Sequence, residues 1–297
     1  MTNQASAPAD GAPSYEFLLV NTPAEGVRQV TLNRPDKRNA ISTPLRAELL
    51  HALRAHDNDP RVRVTILRGA GACFSSGYDL SSSLMEDPPL YSAPGDGQWA
   101  RQANDTWFSL WDLAKPVIAQ IHGYAIAGAT ELASACDLVY VAEDARISYP
   151  VVRVASPPDW QYHTVLLGLR RAMELMLTGD AIDGVEAAHI GFANRAFPAD
   201  RLAEEVLAVA VRIAGVPSDL TQINKRSVHR AFDVWGARAA IRAGTELQAL
   251  AAHTESAGRL RENALDAVKK ASRPLWKWCP GQRKLSITGM PDCCYSD

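Results

Sequence analysis

Two segments carry residue types whose spacing suits chemistry at a single developing anion: Cys73 to Leu80, reading CFSSGYDL, and Ile121 to Cys136, reading IHGYAIAGATELASAC. Each puts glycine where a strand gives way to a helix, so that backbone N–H groups lie open and a ligand can approach closely. Two such turns converging on one oxygen supply a pair of preorganised donors, the arrangement that stabilises an enolate or a tetrahedral intermediate. Glu131, three residues past Gly128, is placed to move a proton beside that oxygen.

These turns need elements to position them, and the periodicities supply candidates. Tyr15 to Val20, Val27 to Asn33 and Arg63 to Leu67 read as strands. Thr43 to His56 has helical spacing, with Pro44 at a plausible first-turn position. Gln98 to Leu113 is expected to be helical, Val117 to Ile121 a strand, Ala129 to Ala135 a short helix and Leu138 to Val141 another strand. Ser81 to Gly97 is polar and rich in Pro and Gly, which predicts a long surface loop covering a site. Alternating strands and helices argue for an α/β core whose ligands sit beyond the carboxyl ends of strands, where both glycine turns fall.

After about Phe197 the pattern turns wholly helical, over Asp200 to Ala214, Leu220 to Val234, Ala237 to His253 and Ser256 to Lys270. The chain thus divides into an Ala, Pro and Ser-rich N-terminal tail (1–14) expected to be disordered, an α/β core (15–198), a helical region (199–276) packed on the core or on another subunit, and an irregular tail (277–297).

Composition narrows the function classes. With 47% hydrophobic and 22% charged residues and a net charge of −2, the 297-residue chain reads as an ordinary globular protein, with no bulk charge to draw nucleic acid. No apolar run approaches the roughly 18 residues that cross a bilayer, and the N-terminus has neither a basic start nor an apolar stretch. A cytoplasmic protein with no membrane partner is the expectation. Of the five cysteines, Cys73 and Cys136 lie in apolar surroundings and read as core residues, whereas Cys279, Cys293 and Cys294 fall in the tail with no CxxC pair or nearby histidine to make a metal site.

From Tyr15 to Trp276 the chain resembles the crotonase, or enoyl-CoA hydratase/isomerase, superfamily. The resemblance rests on LNRPDKRNAIS (Leu32 to Ser42), FSSGYDL, KPVIAQIHGYAIAGATELASACDLVYVAEDARISYP (Lys115 to Pro150) and RRAMELMLTGDAIDGVEAAHIGFANRAFP (Arg170 to Pro198), in this order and spacing. It implies a spiral of repeated ββα units with a C-terminal helical trimerisation region, assembled as a homotrimer or dimer of trimers. It also implies an acyl-CoA substrate, coenzyme A entering only as part of that substrate, with no metal and no redox cofactor. The two backbone donors then fall at Tyr78 and Gly128, holding a thioester carbonyl. The competing structural reading makes both turns merely structural, with Asp79 as a helix cap. Lys37 and Arg38, with Ala40, Ser76, Asp79 and Leu80 around the first turn, are implied to meet coenzyme A. Lys269, Lys270 and Arg273 are further candidates for its phosphates.

Catalytic carboxylates are where the sequence departs from that pattern. Hydratases of the family commonly use one glutamate in the helix after the second turn, matched by Glu131, and a second following a proline. That second position is Val151, after Pro150, and valine carries no proton. Just downstream a small-residue segment of the family is replaced by bulky SPPDWQYH, Ser156 to His163. Asp159, Tyr162 and His163 are candidates for a replacement acid, base or water-positioning group. The competing readings are Asp159 as a helix N-cap, His163 as a helix-face residue and Tyr162 as packing. Tyr149 reads as a pocket hydroxyl or a wall, and His122 as a hydrogen-bonded structural residue. The leading expectation is hydration of a 2-enoyl-CoA to a 3-hydroxyacyl-CoA. Hydrolysis of a thioester or carbon–carbon bond in a bulky acyl-CoA, and acyl-CoA binding with little catalysis, are the alternatives.

Overall fold

The computed structural model describes residues 14–79, 98–153, 157–251, 254–256 and 258–259. In chain order the elements are β1 (Leu18–Ala24), β2 (Val27–Leu32), α1 (Thr43–Asn58), β3 (Val64–Gly69), α2 (Gln98–Asp112), β4 (Val117–Ile121), β5 (Tyr124–Ile126), α3 (Gly128–Ala135), β6 (Leu138–Ala142) and β7 (Arg146–Ser148). They continue with α4 (His163–Thr178), β8 (Ile182–Asp183), α5 (Gly184–His189), β9 (Arg195–Phe197), α6 (Leu202–Ala214), α7 (Ser218–Val234) and α8 (Ala237–Ala251). The expected loop Ser81 to Gly97, Leu80, both tails and the basic group Lys269, Lys270 and Arg273 lie outside the described residues, as does the fourth helix beyond residue 259.

Six strands form the main sheet in the order β1-β2-β3-β4-β6-β9, and β5, β7 and β8 form a smaller second one. The β1–β2 pair is antiparallel and the rest of the main sheet parallel. Buried on both faces, the parallel strands read as nearly continuous apolar runs, such as the fully buried Val117–Ile121. Helix α1 starts where Ser42 accepts the N–H of Leu45, and sends Leu45, Leu49, Ala52 and Leu53 inward at helical spacing. Helix α6 covers the sheet with Leu202, Val206, Val209 and Ala210.

The most consequential departures from expectation lie between Ala142 and Phe197, where every element but α4 is two to six residues long and carries little periodicity. Helix α4 begins at His163, not after Pro158, so Asp159 caps no helix and lies in the bend before it. A residue with φ of 75° at Gly168 kinks this helix. The Asp79 carboxylate pairs with Arg34 at 2.7 Å, and the residues after it, where a capped helix would follow, lie outside the described ones.

Helix α7 buries none of its side chains fully; Phe232 packs against the core, and a set of polar contacts holds the helix beside it. The nearly buried Asp137 accepts Val117 N–H at 2.8 Å, Lys225 Nζ at 2.9 Å and faces His229 Nε2 at 3.0 Å. Lys225 Nζ also donates to the carbonyls of Leu110 and Lys115. A buried ammonium whose partner is removed costs far more than the intact pair contributes. Asp137→Ala is therefore expected to lower unfolding free energy by about 3–5 kcal/mol, whereas Glu205→Ala, removing an exposed partner of Arg201, costs under about 1 kcal/mol. Urea unfolding of the two variants checks this; equal midpoints would refute the assignment.

Candidate active site

The two glycine turns meet. Residues 73–79 run between the Arg34–Ala40 turn and strand β5, bridged to each. On one side Ile41 N–H donates to Gly77 O at 2.8 Å and Asp79 N–H to Ile41 O at 3.0 Å. On the other Ile126 N–H donates to Ser75 O at 3.2 Å. Because Gly77 O and Asp79 N–H both face Ile41, the N–H of Tyr78 between them is turned to the opposite side, toward α3. Gly77 has φ of +92°, and a Cβ there would stand 2.6 Å from Ile126 O and 3.1 Å from Gly128 N. Only glycine allows the turns this close.

Gly128 is the first residue of α3, so its N–H has no acceptor inside the helix. No side chain caps this helix, and Ala127 before it holds a left-handed φ of 51°, a strain of the kind that persists where surrounding structure enforces it. The start of α3 thus presents backbone donors and the positive end of the helix dipole toward the Tyr78 turn. All eight residues of α3 are buried, Glu131 completely.

Around Glu131 the side chains form a chain of hydrogen bonds. Tyr78 hydroxyl donates to Glu131 Oε2 at 2.7 Å and accepts the indole N–H of Trp107 at 3.0 Å. The Tyr78 ring lies directly over Gly128, where a Cβ would be 2.6 Å from Cδ2. Tyr78 therefore contributes its phenol as well as its N–H. Burial pushes the Glu131 carboxyl up to about 7, against Tyr78, Tyr149, Trp107 and the backbone N–H of Asp159, all of which favour its ionised form. Glu131 Oε1 is buried and has no hydrogen-bond partner among the described residues. The hydroxyl of Tyr149 faces this carboxylate without reaching hydrogen-bond geometry at Oε1.

Of the three replacement candidates, Asp159 is the one brought to Glu131. It is 4% exposed, its backbone N–H faces the Glu131 carboxylate, and its own Oδ1 is buried with no partner among the described residues. Burial, then the negative charge of Glu131, hold its carboxyl well above the usual carboxylate range, with Arg46 opposing. His163 is buried with Nδ1 2.9 Å from Gln161 Oε1 and stacked on Tyr162 at 4.0 Å between ring centroids. Burial lowers its pKa to about 3, so it stays neutral. Tyr162 is buried, its hydroxyl facing Thr130 rather than Glu131, and burial pushes it upward.

The coenzyme-side candidates cluster at the Arg34–Ala40 turn. Arg34 bridges Ala40 O and the Asp79 carboxylate, each at 2.7 Å. Ser76 N–H donates to Arg38 O at 3.0 Å, while Lys37 is exposed and Arg38 half-buried. Asp79 therefore acts here as a structural anchor. Sequence reasoning missed Asn39, which is fully buried with φ of 53°. Its side chain donates to Ala70 O and Cys73 O and accepts from Arg34 N–H. An Asn flanked by Lys-Arg and a small residue hints at this, because asparagine tolerates the left-handed region. Trp107 was also missed, since nothing distinguishes it from the other apolar positions of α2. His122 sits 2.9 Å from Gly71 O through Nε2. Among the described residues no cluster of three His, Cys, Asp or Glu side chains is placed to hold a metal ion, and no single helix is long and apolar enough to cross a membrane.

Comparison with known proteins places this geometry in a lineage. A probable enoyl-CoA hydratase of Rhizobium meliloti (strain 1021) is 34% identical over 225 residues, covering 74% of this chain and 84% of the relative. The mitochondrial enoyl-CoA hydratase of Pongo abelii is 31% identical over 231 residues, covering 76% and 77% respectively. Among solved structures, an enoyl-CoA hydratase from Mycobacterium smegmatis superposes with a TM-score of 0.77 at 29% identity, over 85% of this chain and 90% of that one. An enoyl-CoA hydratase/isomerase from Xanthobacter autotrophicus Py2 gives 0.77 at 30% identity, over 86% and 94%. Since the sequence profile of the enoyl-CoA hydratase/isomerase family also matches residues 22–269, the chain belongs to that family.

Proposed function

We propose that the protein adds water across the double bond of a 2-enoyl-CoA thioester, giving a 3-hydroxyacyl-CoA. The observation that carries this reading is the completely buried Glu131 carboxyl beside the meeting of the two turns. In this mechanism the N–H groups of Tyr78 and Gly128 hold the thioester oxygen and stabilise the enolate that forms as water attacks the β-carbon. Glu131 accepts the proton of that water, with the Tyr78 hydroxyl holding the carboxylate in place. Coenzyme A lies along the Lys37, Arg38, Ala40 and Ser76 edge. A second reading, hydrolysis of the acyl-CoA thioester, is favoured by the Asp159 oxygen that has no partner among the described residues; release of free thiol distinguishes it from hydration.

The protein is also proposed to work as a homotrimer or dimer of trimers. Its support is the apolar surface left on the C-terminal helices, where Val234 is 85% and Trp235 78% exposed, surface of a kind that marks an interface.

Glu131→Gln is expected to lower kcat for crotonyl-CoA or a longer enoyl-CoA by about 10²–10⁴, with KM little changed. In the wild type, activity limited by this base rises with pH through about 7. Stability runs oppositely: a carboxyl whose folded pKa exceeds its unfolded value of about 4.3 loses stabilisation as pH rises between the two. Glu131→Gln is thus expected to melt higher than wild type at pH 8 and to lose that advantage by pH 4. Wild type turning over no enoyl-CoA of any length while binding acyl-CoA would remove the hydratase reading.

Gly77→Ala adds a Cβ that collides with Ile126 O and crowds Gly128 N. Pushing the donors apart is expected to lower kcat by about 10²–10³ with the far-ultraviolet circular dichroism retained. Light scattering tests the assembly: the expected mass is a multiple of three chains of 32.2 kDa, and a monomer at micromolar concentration would refute it.

A further inference from the structure

The chain carries valine where the second family glutamate stands, yet a second buried carboxyl lies close enough to Glu131 to feel its charge. It arrives from a segment held by its own bulk. Trp160 is fully buried and packs edge-on against Phe108 at 4.5 Å and Trp111 at 5.2 Å between ring centroids, both on α2. Two residues on, Tyr162 is buried against Phe192. Between these anchors Gln161 packs on Gly244 of α8, where a Cβ would stand 2.4 Å from Gln161 Cβ. The carbonyl of Asp159 accepts Thr245 Oγ1 at 3.4 Å, and Asn104 of α2 donates to the same Thr245 oxygen. Asp159 is thereby clamped from α2 and α8 with its backbone N–H toward the Glu131 carboxylate.

The two carboxyls are not equivalent. Glu131 Oε2 receives the Tyr78 hydroxyl, and the dipole of α3 favours a negative charge there. Asp159 Oδ1 receives no donor among the described residues, and a buried carboxylate oxygen without a donor is costly unless it carries the proton. Among the described residues both Oδ1 of Asp159 and Oε1 of Glu131 are buried without a hydrogen-bond partner, which leaves one oxygen of each carboxyl for a substrate or its water.

From this geometry we infer that Asp159 is the second catalytic carboxyl of the site, working in its protonated form beside ionised Glu131. The inference deepens the hydratase reading and rests on it for the reaction. Glu131 takes one proton from the attacking water as its oxygen bonds to the β-carbon. The π electrons move onto the α-carbon and thioester oxygen, and Asp159 delivers its proton to the α-carbon. The product has gained one water, and the pair has exchanged which carboxyl holds the proton. Transfer back from Glu131 to Asp159 restores the starting state. Among the described residues, the other charged or titratable groups facing the pair are Tyr78 from the first turn, Tyr149 after β7, Tyr162 before α4 and Arg46 from α1. Burial, then negative charges nearby, holds Tyr78 and Tyr149 well above their ordinary value, and burial likewise pushes Tyr162 up, so none of the three titrates in the working range.

Exchange of the α-hydrogens of a saturated acyl-CoA in deuterated water reads the α-carbon step without hydration. Wild type is expected to exchange the α-hydrogens of butyryl-CoA through the form in which the pair's proton sits on Glu131 and ionised Asp159 takes the α-proton. Asp159→Asn is expected to slow exchange and crotonyl-CoA hydration each at least 100-fold while butyryl-CoA affinity changes less than threefold. Asp159→Glu, which restores an acid, is expected to recover part of both. The fall of wild-type kcat at high pH, where the acid is lost, is expected to disappear in Asp159→Asn. Exchange in Asp159→Asn within threefold of wild type would overturn the inference, as would its absence from wild type. If wild type exchanges but hydrates no enoyl-CoA, the hydratase reading fails while loss of exchange in Asp159→Asn still supports Asp159 as the α-carbon acid.

Discussion

A carboxyl group taken fully out of water governs the construction of this protein. Glu131 lies inside a helix whose every residue is buried, and an isolated carboxylate there is costly enough that it would simply take up a proton. The surroundings hold it between the two states. Burial favours the acid, while the Tyr78 hydroxyl and the positive start of α3 favour the anion. A group balanced near neutrality gives and takes protons readily. Helix α3 exists at this depth because small residues, Gly128, Ala129, Ala133 and Ala135 among them, let it approach the sheet.

That balance requires the Tyr78 turn to be held as firmly as α3. The turn has little secondary structure of its own, and its position comes from a polar lattice outside the site. Asn39 ties the Arg34–Ala40 turn to Ala70 and Cys73, and Arg34 ties it to Asp79. The Arg34–Asp79 pair is mostly shielded from water, and with the Ala40 carbonyl also bound by Arg34 it locks the chain on both sides of Tyr78. These residues set where the Tyr78 N–H points without touching the chemistry.

Much of this is legible in the amino-acid sequence alone. Long periodic elements such as α1, β4 and α6 are readable to within a few residues, because burying one helical face or both strand faces leaves a pattern in the residues themselves. Both glycine turns are visible for a similar reason, since glycine at a strand-to-helix junction has few other uses. The region from Ala142 to Phe197 is opaque. Most of its elements are short, α4 kinks at Gly168, and long-range packing decides their placement. Asp159 illustrates the limit: following a proline, it reads as a helix cap, and only Trp160 and Tyr162 sinking into the core draw it inward instead. Trp107 likewise carries no mark in its own helix, and its role follows from where the Tyr78 hydroxyl ends up.

Where the rules of stable folding are broken shows what the fold is for. Left-handed backbone at non-glycine residues occurs, among the described residues, at Arg38, Asn39 and Ala127, and all three flank the two converging turns. Among the described residues, the buried side-chain polar atoms without partners are Glu131 Oε1, Asp159 Oδ1, Asn104 Oδ1 and Trp160 Nε1, in or beside the same site, together with Arg68 Nε, His122 Nδ1 and Ser148 Oγ. Elsewhere Asp137, Lys225 and Lys115 are buried with their hydrogen bonds made, so the chain is capable of satisfying polar groups it takes inside. Local sequence preference, packing and polar satisfaction agree across most of the core and disagree here. An unpartnered carboxyl oxygen beside a strained, uncapped helix start is unfavourable in the free protein, and in the proposed mechanism those costs fall as the thioester oxygen meets the helix start and the attacking water meets the carboxyl. Under the proposed hydration the strain is relieved more in the transition state than in the free protein, which is the condition a catalytic site has to meet.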